Sequence, residues 1–504
     1  MTTPPPAVGE QALTLKFLLA LGCYFLLHIL LRVTISDSLD YDEAEQALLG
    51  QWLLAGYTEQ PPLYTWIQHA LFALFGKNAF AVSLMKNGLL FSTYASVYFA
   101  ACRILGDRRS AILASCSLLL IPQIGWESQR DMTHTTLVVF AAAATLWQLM
   151  RLTEDESLLN YCLLGLCLGI GFMAKANFAL FLGVATLALS TFAEGRRILF
   201  TRRIAASLAI LVLFTTSYLL WMADNQDIVF SATHKFKQGV EHYLLRGTLS
   251  LIANSFLFLT PLWLICGLVF PAGYRGRKGQ GSGFHRRFIE RYLFFLFIAL
   301  LLVVLFFKVT YVKDRWLQPL LFVAPIYFFS RLSPAEITPR KFRIYLATVL
   351  AAALAVYGGL TFRTVGADVT NNFCRLNYPF PAFAEDLRNS GFSKGLIISN
   401  DRFLAGNLHL QFPTSTAIVP DYRLEELVEE GRYSAMAIVW QVAESVPLPA
   451  GLETFVYETY GFRATDYPIR YFDHSYLYAD QEIVTLAMII IPRPPALTNS
   501  SSNR

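Results

Sequence analysis

The chain has 504 residues, of which 55% are hydrophobic and 14% aromatic, and its mean hydropathy is +0.45. Only 15% are charged, against about 25% in soluble proteins, which excludes an ordinary soluble domain and indicates an integral membrane protein. The formal net charge of +5 is small, and without a nucleic-acid motif or a sustained basic face it excludes a nucleic-acid partner.

Apolar runs long enough to cross a bilayer predict spans at 16–35, 79–102, 110–125, 131–150, 157–173, 176–193, 204–223, 248–270, 292–308, 316–330 and 344–361. That makes about eleven spans, with a possible range up to 13, in an α-helical polytopic membrane protein. The first run carries His28 and Arg32 and lacks a small-x-small cleavage site, so it is expected to stay as an anchor rather than act as a cleaved signal peptide. The seven cysteines show no metal-type pair spacing and no disulfide framework.

Behind the first run comes Asp40-Tyr-Asp-Glu-Ala-Glu, four carboxylates in six residues. Charge at a membrane surface is costly to hold and usually has a function. Asp40 and Glu43 have the spacing of a capping box, and Ala44, Leu48, Trp52 and Ala55 repeat as a helical stripe. A helix is therefore expected in the interface plane, apolar side down. Capping alone would account for Glu43, and Glu45 is expected on a solvated face. Asp42 is harder to dismiss, because a cap needs one carboxylate. Pro61-Pro62 breaks the chain, and Leu63–Leu74 is expected to form a second interfacial helix, so that such helices occupy about 41–75.

Even-numbered runs end, and odd-numbered runs begin, at basic clusters such as Arg103/Arg108/Arg109, Arg196/Arg197/Arg202/Arg203 and Arg331/Arg340/Lys341/Arg343. The positive-inside rule makes that side cytoplasmic. The acidic segment and everything after residue 361 are then expected outside. Against the same rule, Arg130, Lys175, Lys308, Lys313 and Arg315 also map to the outer side. Each alone reads as an interfacial side chain whose head reaches water. Together, facing carboxylates, they suit an anionic group such as a phosphate at bilayer-surface depth.

The chain changes character at 362–504, where short β-rich runs (395–399, 435–440, 483–491) alternate with helical stretches such as Arg423–Glu430. This predicts an α/β extracytoplasmic domain with a disordered tail, behind a transmembrane domain at 1–361.

Several of these motifs carry a resemblance. The acidic first loop, Gln60-Pro-Pro-Leu-Tyr-Thr-Trp, Arg130-Asp-Met, the Phe172-Met-Ala-Lys-Ala-Asn hairpin and Arg315-Trp-Leu-Gln-Pro with Ala324-Pro resemble the bacterial protein O-mannosyltransferase and aminoarabinose-transferase group. These are GT-C glycosyltransferases that use polyprenyl-phosphate sugars. The wording Asp42-Glu-Ala-Glu-Gln with Gln60-Pro-Pro-Leu-Tyr-Thr-Trp is also similar to rhizobial lipopolysaccharide galacturonosyltransferases. The resemblance implies an inverting transfer from a polyprenyl-phosphate sugar donor to a glycolipid acceptor, lipid A or core, in the inner membrane. It implies Asp42, or else Asp40, as the base. Glu43, Gln60, Tyr64, Arg130 and Asp131 would bind acceptor or donor sugar, and Lys175, Lys313, Arg315 and Trp316 the departing phosphate. Gln60 departs from the aminoarabinose transferases, which have a basic residue there, and this weakens that donor. A lipid-phosphate leaving group needs no obligatory metal, so no cofactor is expected. A flippase or transporter is the rival class; it would place ionisable groups at mid-membrane depth within inverted repeats.

Overall fold

A computed structural model describes residues 8–230, 241–274, 283–428, 433–442, 448–479 and 481–492. The expected tail and the basic residues Arg275, Arg277 and Lys278 lie outside the described residues. The chain falls into two compact units. The first comprises Met1–Leu27, Leu54–Tyr64 and Lys86–Tyr357, and the second comprises His28–Leu53, Thr65–Met85 and Gly358–Arg504. In this grouping the acidic segment falls with the C-terminal part.

Among the described residues six helices are long and apolar enough to cross a membrane. They are α1 (Val8–Ile35), α4 (Ala79–Leu105), α7 (His134–Leu152) and the helices Ile204–Asp224, Gly283–Phe307 and Pro339–Val365. Two bent pairs raise the number to eight. One joins Arg108–Leu120 to Gln123–Asp131 at 75°, the other Tyr243–Phe258 to Leu262–Val269 at 55°. Two further apolar helices, α8 (Leu158–Phe172) and α9 (Phe178–Ser190), are shorter. The run 316–330 resolves into Asp314–Leu321 and Ala324–Ser330. Hydropathy sees the apolar residues of these runs but not their breaks, which fall at Pro122, at Pro261 and at Phe322–Val323 just ahead of Pro325.

Within the first unit, Ile204–Asp224 exposes Leu213 at 80% and Leu220 at 64%, apolar surface of the kind a bilayer covers. Its other side packs on α8. There Gly165 and Gly169, four apart, let the backbones approach. A Cβ on Gly165 would lie 2.6 Å from the Ser207 carbonyl oxygen, and one on Gly169 would lie 3.0 Å from Phe214.

The second unit holds a five-stranded sheet of order β2-β1-β3-β5-β4. Here β1 (Leu396–Ser399) is parallel to β2 (Thr416–Ile418) on one side and to β3 (Ala435–Gln441) on the other. Strands β4 (Arg470–Ser475) and β5 (Ile483–Pro492) complete it antiparallel. The three expected strands are present. The stretch after Arg423 forms a 3₁₀ turn, Leu424–Leu427, entered through Arg423 in left-handed backbone, and Glu429 and Glu430 lie outside the described residues.

In the same unit the acidic segment opens α2 (Tyr41–Leu49), which stops at Gly50 and does not run on to Ala55. Ala44 and Leu48 are fully buried, but against protein. The helix Arg402–Gln411 packs on α2 so closely that a Cβ on Gly406 would sit 2.0 Å from the Ala44 carbonyl oxygen. The stripe that sequence periodicity laid on lipid is thus covered by the C-terminal part. Helix α3 (Leu63–Phe75) forms as expected, and Thr65 Oγ1 donates to Gln46 Oε1 at 2.7 Å. Beyond α2, the Gln51 side-chain amide donates to Ala417 O and accepts from Ala417 N, both at 2.9 Å, along the outer side of the edge strand β2.

Candidate active site

In the acidic segment each carboxylate has a distinct situation. Asp40 caps α2, its Oδ1 accepting from Tyr41 N at 2.8 Å, and Glu43 Oε2 returns the capping box by accepting from Asp40 N at 3.1 Å. Arg32 Nη2 lies 2.9 Å from the same Glu43 oxygen and also donates to Ser38 O at 2.6 Å. Glu43 is 1% exposed, which commits it to the scaffold of the segment and not to a surface where a sugar could bind. Asp40 is equally buried, with Arg375 Nη1 at 3.2 Å from Oδ1 and Arg363 Nη2 at 3.6 Å from Oδ2. A carboxylate so enclosed is poorly placed to meet an acceptor hydroxyl.

Glu45 corrects the expectation of a solvated face. It accepts short hydrogen bonds from Arg402 and from the Tyr422 hydroxyl. Burial opposes the charge on Arg402, but Glu45 and then Tyr422 outweigh it, and the guanidinium is held more firmly protonated than usual. Burial, then Glu45, raises the Tyr422 phenol well above its ordinary value. Between these groups the Tyr41 ring lies under two guanidinium carbons, Arg375 at 4.6 Å and Arg402 at 4.4 Å. Asp42 is half-buried in the first turn of α2, outside the cap. Like Glu45, and unlike the buried Asp40 and Glu43, it combines partial exposure with a fixed backbone, which is what a general base needs.

The first unit gathers the other candidates around the start of α7. Leu63 N donates to Met173 O at 3.4 Å, bringing the Pro-Pro-Leu-Tyr segment to the turn that carries Lys175. Tyr64 is fully buried, its ring 5.4 Å from that of His134. Lys175 Nζ donates to Thr135 Oγ1 at 2.8 Å. The first amides of α7 have no side-chain cap at Thr133, so a helix N-terminus and an ammonium lie side by side, an arrangement that favours an anion. Gln60 is half-buried, its backbone N–H donating to Thr58 Oγ1 at 3.3 Å.

Arg130 and Asp131 belong to a short helix, α6 (Ser128–Asp131), that follows a π-helical turn at Gln123–Glu127. Arg130 pairs with Glu127 at 2.6 Å. Two glutamines fasten the Asp314–Leu321 helix to this segment. Gln123 Nε2 donates to Asp314 Oδ2 at 3.0 Å, and Gln318 Nε2 donates to Gln123 O at 3.0 Å and to Met132 Sδ at 3.2 Å. Lys313 precedes that helix with Nζ 5.8 Å over the Trp316 ring, and Arg315 is exposed on its first turn. Thr135, Lys175 and Gln318 therefore all touch the first turn of α7 or the residues just before it.

Sequence reasoning missed Gln123, Gln318, His134 and Thr135, and also Lys86, which is 2% exposed with Nζ 3.4 Å from Gln129 O. Their signal was a polar residue inside an apolar run. It missed Arg363, Arg375 and Arg402 because nothing local marks them. Among the described residues no group of three or more His, Cys, Asp or Glu could hold a metal ion.

Residues 59–221 match the family model described as dolichyl-phosphate-mannose-protein mannosyltransferase. The lipopolysaccharide core galacturonosyltransferase RgtB of Rhizobium johnstonii is 34% identical over 410 residues, covering 80% of this chain and 82% of that protein. Its counterpart RgtA from the same organism is 33% identical over 415 residues, again covering 80% and 82%. In fold, the chain is similar to ArnT from Cupriavidus metallidurans in the crystal structure bound to undecaprenyl phosphate. The TM-score is 0.59 at 13% identity, over 96% of this chain and 98% of that one.

Proposed function

The chain belongs to the glycosyltransferase family of the rhizobial lipopolysaccharide core galacturonosyltransferases, and from that premise we propose that it transfers galacturonic acid from a polyprenyl monophosphate to lipid A or lipopolysaccharide core on the periplasmic face of the inner membrane. The observation that carries this reading is the likeness to RgtB along four-fifths of both chains. The bound undecaprenyl phosphate of ArnT supports the donor class.

In this mechanism the Asp42 carboxylate takes the proton of the acceptor hydroxyl. The hydroxyl oxygen attacks the anomeric carbon as the bond from that carbon to the phosphate oxygen breaks. Polyprenyl phosphate leaves with the bonding pair, and the anomeric configuration inverts. Lys175, Lys313 and Arg315 offset the charge gathering on the phosphate, Trp316 and Tyr64 shape its surroundings, and Arg130, Asp131 and Gln60 contact sugar hydroxyls. Asp40 and Glu43 hold the segment.

The test is a reconstituted assay in which purified protein receives either a polyprenyl-phosphate galacturonate or a nucleotide sugar, with lipid A–core as acceptor. Transfer from the lipid-linked sugar alone is expected, and transfer from the nucleotide sugar alone would overturn the reading. The mannosyltransferase family match at 59–221 favours one second reading, transfer to a protein hydroxyl, which the same assay detects with a polypeptide acceptor.

A further inference from the structure

We propose that the carboxyl-end edge of the parallel strands β1, β2 and β3, together with the Arg375–Asn377 turn ahead of them, is a vice that aims Asp42, with Arg375 and Arg402 as its positioning residues. In open α/β sheets the crevice outside the carboxyl ends of the strands, where strand order reverses, is where ligands bind. Here β1 has parallel neighbours on both sides, so the order reverses beside it. The groups at that edge hold the chain's own acidic segment. Arg402 starts the helix after β1, Tyr422 follows β2, and both engage Glu45. Gln441 ends β3 and accepts from the Tyr378 hydroxyl at 3.1 Å, while Tyr378 O accepts from Ser38 Oγ at 2.6 Å. Asn407, one turn into the helix after β1, accepts from Leu39 N at 2.7 Å.

Every near neighbour of Asp42 is therefore fastened. Asp40 is held by Arg375 and Arg363, the Tyr41 ring by Arg375 and Arg402, Glu43 by Arg32, and Glu45 by Arg402 and Tyr422. A base whose direction is fixed before the substrate arrives gains rate through orientation, and a misplacement of about 1 Å can cost on the order of 10²-fold. The two arginines act through α2 and touch neither donor nor acceptor.

This rests on Asp42 being the base, and the experiment separates the two claims. Full-length protein in lipid vesicles is assayed with polyprenyl-phosphate galacturonate and lipid A–core, as wild type, Arg375→Met, Arg375→Lys, Arg402→Met and Asp42→Asn, and with each arginine change also in the Asp42→Asn background. Expected for the methionine variants is a fall in kcat of about ten- to a hundredfold, with both KM values within twofold, partial recovery in Arg375→Lys, and no further loss in the Asp42→Asn background. Arg375→Lys keeps a cation at Asp40 should the methionine variant fold poorly. Equal losses in both backgrounds, a raised KM at unchanged kcat, or turnover within twofold of wild type would each overturn the vice. A fully active Asp42→Asn protein would instead remove the base.

Discussion

The acidic segment and the Lys313–Trp316 segment carry opposite charges and are built in opposite ways. In the first, Asp40 and Glu43 are buried and each is met by a guanidinium, with neighbouring side chains hydrogen-bonded to residues more than 330 positions away. In the second, Arg315 is exposed and Lys313 lies along a tryptophan ring. The proposed mechanism accounts for the difference by what each segment would meet. A base has to reach one hydroxyl at a fixed angle, so its support must not yield. A lipid phosphate is a diffuse charge on a flexible chain, and long cationic side chains can follow it.

The comparison breaks first at Asp42. Asp42→Asn preserves shape and removes the proposed base, so turnover should fall by about 10²–10⁴-fold, read as sugar transferred per unit time by a correctly folded protein. Near-normal turnover would leave the acidic segment a scaffold without a catalyst. Asp40→Asn should behave differently, because asparagine caps a helix nearly as well but loses the charge facing Arg375 and Arg363. A stability loss of about 1–3 kcal/mol is expected in thermal melts, with a smaller fall in turnover than at Asp42.

A pH experiment loosens one segment and spares the other. His409 is fully buried in the helix that carries Arg402 and Asn407, and burial, aided by Lys77, pushes its pKa down to about 3. The unfolded chain takes up that proton near pH 6.5. The associated stability is therefore complete above about 6.5 and is lost as pH falls towards 3, at up to about 1.4 kcal/mol per pH unit. Melting of the second unit should drop between pH 7 and 5, and His409→Leu should flatten that dependence. The smallest effect is expected from Arg315→Ala. As one exposed cation among several, it should cost less than tenfold in kcat and in KM for the lipid-linked donor, more so at low salt. A large fall in kcat would show the basic segment to be as rigidly engaged as the acidic one.

What could be read from the sequence was local. The capping box of Asp40 and Glu43, the break at Pro61-Pro62 and three of the five strands depend on neighbours within a few residues, and all appear. Hydropathy marked the apolar runs but not the bends at Pro122 and Pro261, where the helices on either side meet at 75° and 55°. The apolar stripe of α2 was visible, but not its cover, because periodicity shows that a face is buried without saying by what. Asp42 stood out as a carboxylate surplus to the cap. The partners of its neighbours did not, since Arg375 lies 335 residues from Asp40 and Arg402 lies 357 from Glu45.

The Gln51 amide beside Ala417 has a consequence for any attempt to study the C-terminal part alone. Strand β2 is the sheet's outermost parallel strand, and its outward N–H and C=O at Ala417 are satisfied by one side chain from the N-terminal part of the chain. Cutting the protein at residue 362 would remove that side chain together with α2, leaving an open strand edge beside the bared apolar face of the Arg402–Gln411 helix. Such edges recruit other strands. The excised fragment should self-associate when expressed, and a fragment carrying Arg32–Leu53 on a flexible tether should be markedly more soluble.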